Sequence, residues 1–148
     1  MSRVVVFDID GTLADNDHRR YFIKGEQKDW KVYNLYMKYD GLHEDVASIL
    51  WSLHDSGDTV VLCTGREITF RPTTWMWLEE MRLAHKVSDV YFRPAKDYRP
   101  DSVVKVELLR EIEKDYGRPY LWFDDRKQVV DALRAEGIRV LQVAPGDF

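Results

Sequence analysis

Two aspartates, Asp8 and Asp10, flank one isoleucine at the end of the apolar run VVVF and stand directly ahead of Gly11 and Thr12. In extended backbone alternate side chains point the same way, so both carboxyl groups are expected to share one small space with Ile9 turned away. Like charges held that close cost free energy unless a cation or a shared proton relieves them, and such costs gather where a site has chemistry to do. Two further apolar runs also end in polar residues: TVVLC leads into Thr64, Gly65 and Arg66, and YLWFD closes on Asp124, with Asp125 and Arg126 behind it. Carboxylate oxygens with no His or Cys beside them suit a hard cation, so Mg²⁺ is the expected cofactor, held among Asp8, Asp10, Asp124 and Asp125. The four histidines show no metal-ligand pairing, and zinc is not expected.

Carboxylate-bound Mg²⁺ with a hydroxyl and cations close by suits phosphoryl transfer, because the transferred group needs its charge neutralised and its in-line geometry fixed. No Ser or Cys is activated by a His, which leaves a carboxylate as nucleophile. Asp8, nearer the strand, is expected to attack phosphorus. Asp10, its pKa raised by anionic neighbours, is expected to protonate the departing oxygen and later deprotonate the hydrolytic water.

The elements that must position these residues follow from the periodicity. Apolar stretches of strand length fall at 3–7, 59–63, 89–92, 120–124 and 138–143, rich in β-branched and aromatic residues. Helical spacing separates them: Val46, Ile49, Leu50 and Leu53; Trp75, Leu78 and Met81; Val104, Leu108, Leu109 and Ile112; Val129, Val130 and Leu133. Gly57, Gly117 and Gly137 stand where helix terminators belong. Alternating strand and helix predicts an α/β, three-layer Rossmann-like domain with a mainly parallel five-stranded sheet, whose strand C-termini converge on one edge. Residues 14–41 are polar with scattered aromatics and predict a loop followed by a helix over 28–39. One domain spans 1–148, with 15–41 as a small flap.

DIDGT at 8–12, Thr64 after a strand, a lysine early in a later helix and the Asp124–Asp125 pair resemble the four motifs of the haloacid dehalogenase superfamily of Mg²⁺-dependent aspartate phosphatases. The closing stretch DDRKQVVDALRAEGIRVLQVAPGDF is similar to the end of the phosphatase half of phage-type polynucleotide kinase/phosphatase, which removes 3′-phosphates from nucleic acid ends. The resemblance implies Asp8 as nucleophile, Asp10 as acid/base, Thr64 and Lys105 as catalytic, and Gly65 and Arg66 as binding the substrate phosphate or its backbone. It makes Asp101 the acidic partner four residues before Lys105, Asp125 the direct metal ligand and Asp124 its support. An arginine eleven positions after the nucleophile falls on Arg19, with Arg20 the alternative. No GxxxxGK[ST] occurs, so 5′-phosphorylation is not expected. Space between Arg66 and Lys105 admits only one helix, one strand and a loop, so a minimal cap or none is expected. An open site of that kind suits a polymer end.

Bland readings stand beside these. Lys96 rivals Lys105 as the phosphate lysine; Asp101 can cap the helix after Pro100 or orient Lys105; Arg66 can simply start a helix. Trp75, Trp77 and Trp122 read as packing, whereas the aromatic and basic residues of 19–39 read equally as packing or as a base-stacking surface. A net charge of −4 argues against a strongly basic nucleic-acid surface overall. The lone Cys63 reads as core, and the N-terminus shows no signal-peptide layout, so a soluble cytoplasmic protein is expected. The expected partners are nucleic acid 3′ ends, DNA or RNA, or nucleotides, and no membrane. The alternatives are a phosphatase for 5′-nucleotides or a small metabolite, and an end-binding module without turnover.

Overall fold

The computed structural model describes residues 2–148. Strand β1 (Val4–Phe7) lies at the middle of a five-stranded parallel sheet, with β4 (Thr59–Glu67) and β5 (Asp89–Arg93) on one side and β6 (Leu121–Asp124) and β7 (Val140–Gln142) on the other. The chain builds outward from β1 in one direction, then returns to build in the other. Its topological switch therefore falls at β1, where ligands of open parallel sheets bind beyond the strand C-termini. All five expected strands form. Strand β4 outruns its apolar stretch because pairing with β5 resumes at Glu67 and Arg93 after a register shift beyond Cys63.

Alternation along β1 decides which layer each residue meets. Val5, Phe7 and Ile9 enter one core with Val46, Ala47 and Leu50 of α3 (Glu44–Asp55) and Trp77 and Leu78 of α4 (Arg71–Glu80). Val4 and Val6 enter the other, with Val104, Leu108 and Ile112 of α5 (Asp101–Tyr116) and Val129, Val130 and Leu133 of α6 (Lys127–Ala135). Continuing that rhythm sends Asp8 to the α5 side, toward Lys105. Phe7 and Phe123 stack across β1 and β6 with ring centroids 4.3 Å apart, fixing the two acidic strand ends side by side. Trp122 and Cys63 are buried, and burial pushes the Cys63 thiol well above its usual range, as befits packing rather than chemistry. Gly117 ends α5 at φ +99°, a left-handed conformation that favours glycine.

Residues 14–42 leave the sheet and return. Strands β2 (Ala14–Asp15) and β3 (Gly41–Leu42) pair antiparallel at the base, and α1 (Asp17–Arg20) and α2 (Trp30–Leu35) lie between. The helix expected over 28–39 is shorter than its sequence suggested: six residues of α2, capped by the Asp29 side chain on the Val32 amide at 3.1 Å, then a 3₁₀ turn at Met37–Tyr39. Within 30–39 only Tyr33 and Met37 are buried while Trp30, Leu35, Tyr36 and Tyr39 stay exposed. Without a wider buried stripe, packing cannot sustain a longer helix. Between β4 and α5 the only helix longer than a single turn is α4 and the only strand β5, so no cap domain interrupts that stretch. No described helix is long and apolar enough to cross a membrane.

Candidate active site

The buried acids meet where β1 and β6 end. Lys105 Nζ, reaching up from the first turns of α5, donates to Asp8 Oδ1 and to Asp124 Oδ2, each at 2.8 Å. Thr12 Oγ1 donates to the other Asp8 oxygen at 3.1 Å. Asp124 Oδ1 accepts the backbone amides of Asp125 (2.9 Å) and Arg126 (3.2 Å), which fastens the acidic strand end to the start of α6. Both oxygens of Asp124 are thus engaged by protein donors. The Asp125 carboxylate takes no nitrogen donor from any other described residue, and the Asp8 carboxyl and its own amide lie beside it. One oxygen from each of Asp8, Asp124 and Asp125 falls within 4.8 Å of the others. Gly11 makes the approach possible: at φ +83° its backbone passes so close that a Cβ there would collide with the Asp125 carboxylate.

Burial, reinforced by Asp124, pushes the Asp8 carboxyl well above the usual carboxylate range, against the opposing pull of Lys105. Asp125 is raised by the same two causes in the same order. Burial alone would lower Lys105, yet Asp124 and Asp8 outweigh it and hold the ammonium charged. Three carboxylates face one ammonium, an excess of two negative charges in a largely buried space. Oxygen-only donors with that excess fit a hard divalent cation.

Asp10 departs from expectation in two ways. Its carboxylate does not join the other three but turns to Arg66, whose Nη2 donates at 2.7 Å and Nε at 3.1 Å, and to Arg19 Nη2 at 2.5 Å. Its pKa accordingly moves down, below the usual range: burial raises it, and the two guanidinium groups overcome that. The sequence placed Asp10 among anions because its nearest acidic neighbour in the chain is Asp8. The fold instead brings in cations 9 and 56 residues away.

Of the two arginines, Arg19 is fully buried beside Asp10, and its ring partner is Tyr33, 4.2 Å beneath the guanidinium. Arg20 lies at the surface with its guanidinium over the Phe148 ring, which Arg126 also faces. Lys96 is exposed in the turn before α5, so Lys105 is the lysine within the acid cluster. Asp101 does not cap α5, whose cap position is Pro100; its carboxylate accepts Arg93 Nη2 at 3.0 Å and stands 3.8 Å from Lys105 and 3.7 Å from Arg126. Gly65 lets that carboxylate pack against β4's end, since a Cβ there would strike it. Thr64 is buried, and its Oγ1 accepts the Arg66 amide at 3.1 Å, shaping the loop rather than touching the acids.

Asp40 was not anticipated. It is buried where the chain returns through β3, and it accepts Arg19 Nε at 2.8 Å, Arg19 Nη2 at 2.7 Å and Arg66 Nη2 at 3.4 Å, with His18 Nε2 2.7 Å away. Trp77 Nε1 holds its carbonyl at 2.8 Å. Two guanidinium groups thus bridge two carboxylates. The only sequence cue is an acid at the foot of an aromatic segment, which carries no motif.

This sheet order, with Asp8, a buried lysine and paired acids at the strand ends, is the arrangement of a haloacid dehalogenase-type phosphatase. The family model of the polynucleotide kinase PNKP phosphatase domain matches residues 2–148, and the chain belongs to that family. One solved chain of the Pnkp1/Rnl/Hen1 RNA repair complex superposes with a TM-score of 0.82 at 30% identity, covering all of this chain and 44% of its own length. A second Pnkp1/Rnl/Hen1 structure gives 0.79 at 27% identity, over all of this chain and 48% of that one. The present chain therefore spans less than half the length of these two relatives. A haloacid dehalogenase-like hydrolase from Streptococcus pneumoniae shares the fold at a TM-score of 0.67 and 16% identity, over 95% of this chain and 84% of its own.

Proposed function

We propose that this chain is one phosphatase domain, with residues 15–41 as a flap, and that it removes 3′-phosphates from nucleic acid ends through an aspartyl-phosphate on Asp8 with Mg²⁺ bound. The observation that carries the reading is Asp8 itself. Thr12 and Lys105 grip its two oxygens and fix the carboxylate at the end of β1, so an incoming phosphorus meets a nucleophile already oriented. Asp125, short of nitrogen donors, is the direct metal ligand together with Asp8, and Asp124 holds Lys105 and the α6 start in place. The cation, when bound, neutralises phosphate charge.

Asp10 completes the cycle. As an ionised carboxylate it is ready to take a proton from the water that opens the acyl-phosphate. For the first half-reaction it must carry a proton to the leaving oxygen, and an anionic phosphate provides the means by drawing Arg66 toward itself and away from Asp10, whose carboxylate then takes up a proton from solvent. Arg66 then binds substrate and licenses the acid in the same movement. The 3′-phosphate assignment rests on the family and on the uncapped stretch between β4 and α5, which leaves room for a strand. The test is phosphate release from a 3′-phosphorylated oligonucleotide, a 5′-phosphorylated one and a mononucleotide, each with Mg²⁺ or EDTA. Release from the 3′ end with Mg²⁺ alone, lost in Asp8→Asn, is the expected result; faster turnover of the 5′ end or the mononucleotide overturns the 3′ assignment.

A further inference from the structure

The outer surface of the 15–41 segment carries aromatic rings that no core requires. Phe22 and Tyr36 lie face to face, with centroids 5.8 Å apart and planes 7° from parallel. Tyr21 meets the edge of Phe22 at 5.6 Å, and Tyr39 continues from Tyr36 at 6.1 Å. Four rings thus form a row, and three of them are open to solvent: Tyr21 is 79% exposed, Tyr39 64% and Tyr36 40%. Contiguous apolar surface of this kind is uncommon on a soluble domain unless something binds there. The charge around it points to what. Residues 20–39 hold five Lys or Arg side chains against Glu26 and Asp29, a local excess of three positive charges in a chain of net charge −4. Lys38 Nζ sits 5.2 Å from the Tyr39 ring centre, so cation and ring are offered together.

We infer that this row is a base-stacking platform for the single-stranded segment next to the reacting 3′ end. The inference rests on the polynucleotide reading above and extends it from the phosphate to the strand that carries it. Ring faces accept any base without reading sequence, and flanking lysines follow the phosphates, which is how single-strand binders combine stacking with charge. Tyrosines dominate the row, each with a polar tip and few rotamers to freeze, and the positive charge around them favours a phosphate-bearing strand as the occupant. The row belongs to the same short segment that reaches the site: Arg19 bonds Asp10, Tyr33 lies beneath Arg19, and Asn16 Nδ2 donates to the Tyr33 hydroxyl at 3.0 Å. A blunt duplex, its bases already stacked and paired, offers the rings nothing.

The experiment compares wild type with the double variant Tyr21→Ala, Tyr39→Ala, two exposed positions outside the catalytic machinery. Substrates are an eight-nucleotide 3′-phosphorylated single strand, the same strand with abasic residues in place of its penultimate bases, a blunt 3′-phosphorylated duplex, and p-nitrophenyl phosphate. The expected result is a rise in KM of about 10-fold or more for the base-containing strand, from the loss of stacking, with the other three substrates unchanged. Tyr21→Phe, Tyr39→Phe retains the rings and is expected to behave as wild type. An unchanged KM for the normal strand, or an equal rise for the abasic strand, overturns the platform. If aryl phosphate is hydrolysed while none of the three 3′-phosphorylated polymers is, the polynucleotide reading fails, a result separate from failure of the rings.

Discussion

Replacing Lys105 with methionine keeps the length of the side chain and removes one charge from the middle of the acid cluster. Lys105 is essentially unexposed and bonds Asp8 and Asp124 at 2.8 Å each. Without it, three carboxylates share a buried space with no cation, and breaking one partner out of a buried ion pair costs about 3–5 kcal/mol. Domains of ordinary stability hold only about 5–15 kcal/mol in all, so the metal-free variant should stay folded but become fragile. At roughly 3 °C per kcal/mol for a chain of this length, the melting temperature falls by about 10–15 °C. The loss has a pH signature. The folded pKa of Asp8 is already raised above its unfolded value, and losing the ammonium raises it further. A group of that kind gives its full stability below the unfolded pKa and loses it as pH rises through the folded one. The deficit of Lys105→Met is therefore larger at pH 8 than at pH 5, and Mg²⁺ recovers part of it. Urea unfolding at both pH values, with EDTA and then with Mg²⁺, measures each quantity. A deficit under about 1 kcal/mol, or one that shrinks as pH rises, refutes the account of the cluster.

Wild type in EDTA follows the same logic: Asp8 and Asp125 are both raised, so stability declines from pH 5 to pH 7.5, and the thermal shift on adding Mg²⁺ is larger at pH 7.5. Gly11→Ala forces a strained φ and pushes Asp125 aside, costing about 1–3 kcal/mol and weakening Mg²⁺ binding in calorimetry. Asp40→Asn leaves Arg19 and Arg66 half paired; kcat falls by about 10-fold or more while the KM for a short substrate changes little, and an unaltered kcat denies Asp40 its positioning role. Asp8→Asn, by contrast, abolishes turnover and keeps the fold, as circular dichroism will report.

The parts that were legible in the sequence are those whose signal is local. Runs such as VVVF and VVLC state buried strands outright, and an Asp-x-Asp-Gly-Thr at a strand end can be read without knowing its neighbours. Lys105 was singled out through the family resemblance rather than by its own surroundings, and Asp101 bonds Arg93 instead of capping the helix. What escaped was pairing across the chain. Asp10 looked like an acid crowded by acids, and its protonation was misjudged in sign because Arg66 and Arg19 arrive through tertiary structure. Asp40 had no motif to betray it, and nothing local told which of Arg19 and Arg20 would lie buried beside Asp10. The 28–39 stretch has helical residues but no helical stripe, so its break after Leu35 could not be seen in composition.

Arg19 also ties the 15–41 segment to the sheet edge. To swing residues 15–41 outward, the protein would have to part Arg19 from Asp10, Asp40 from Arg66 and the Asp40 carbonyl from Trp77 Nε1, all of them buried or largely buried contacts, while the Arg19–Asp40 pair travels with the segment. That segment is masonry, not a door. Turnover should not wait on its opening, and viscosity or loop-stiffening substitutions in 23–28 should leave the catalytic rate where it was.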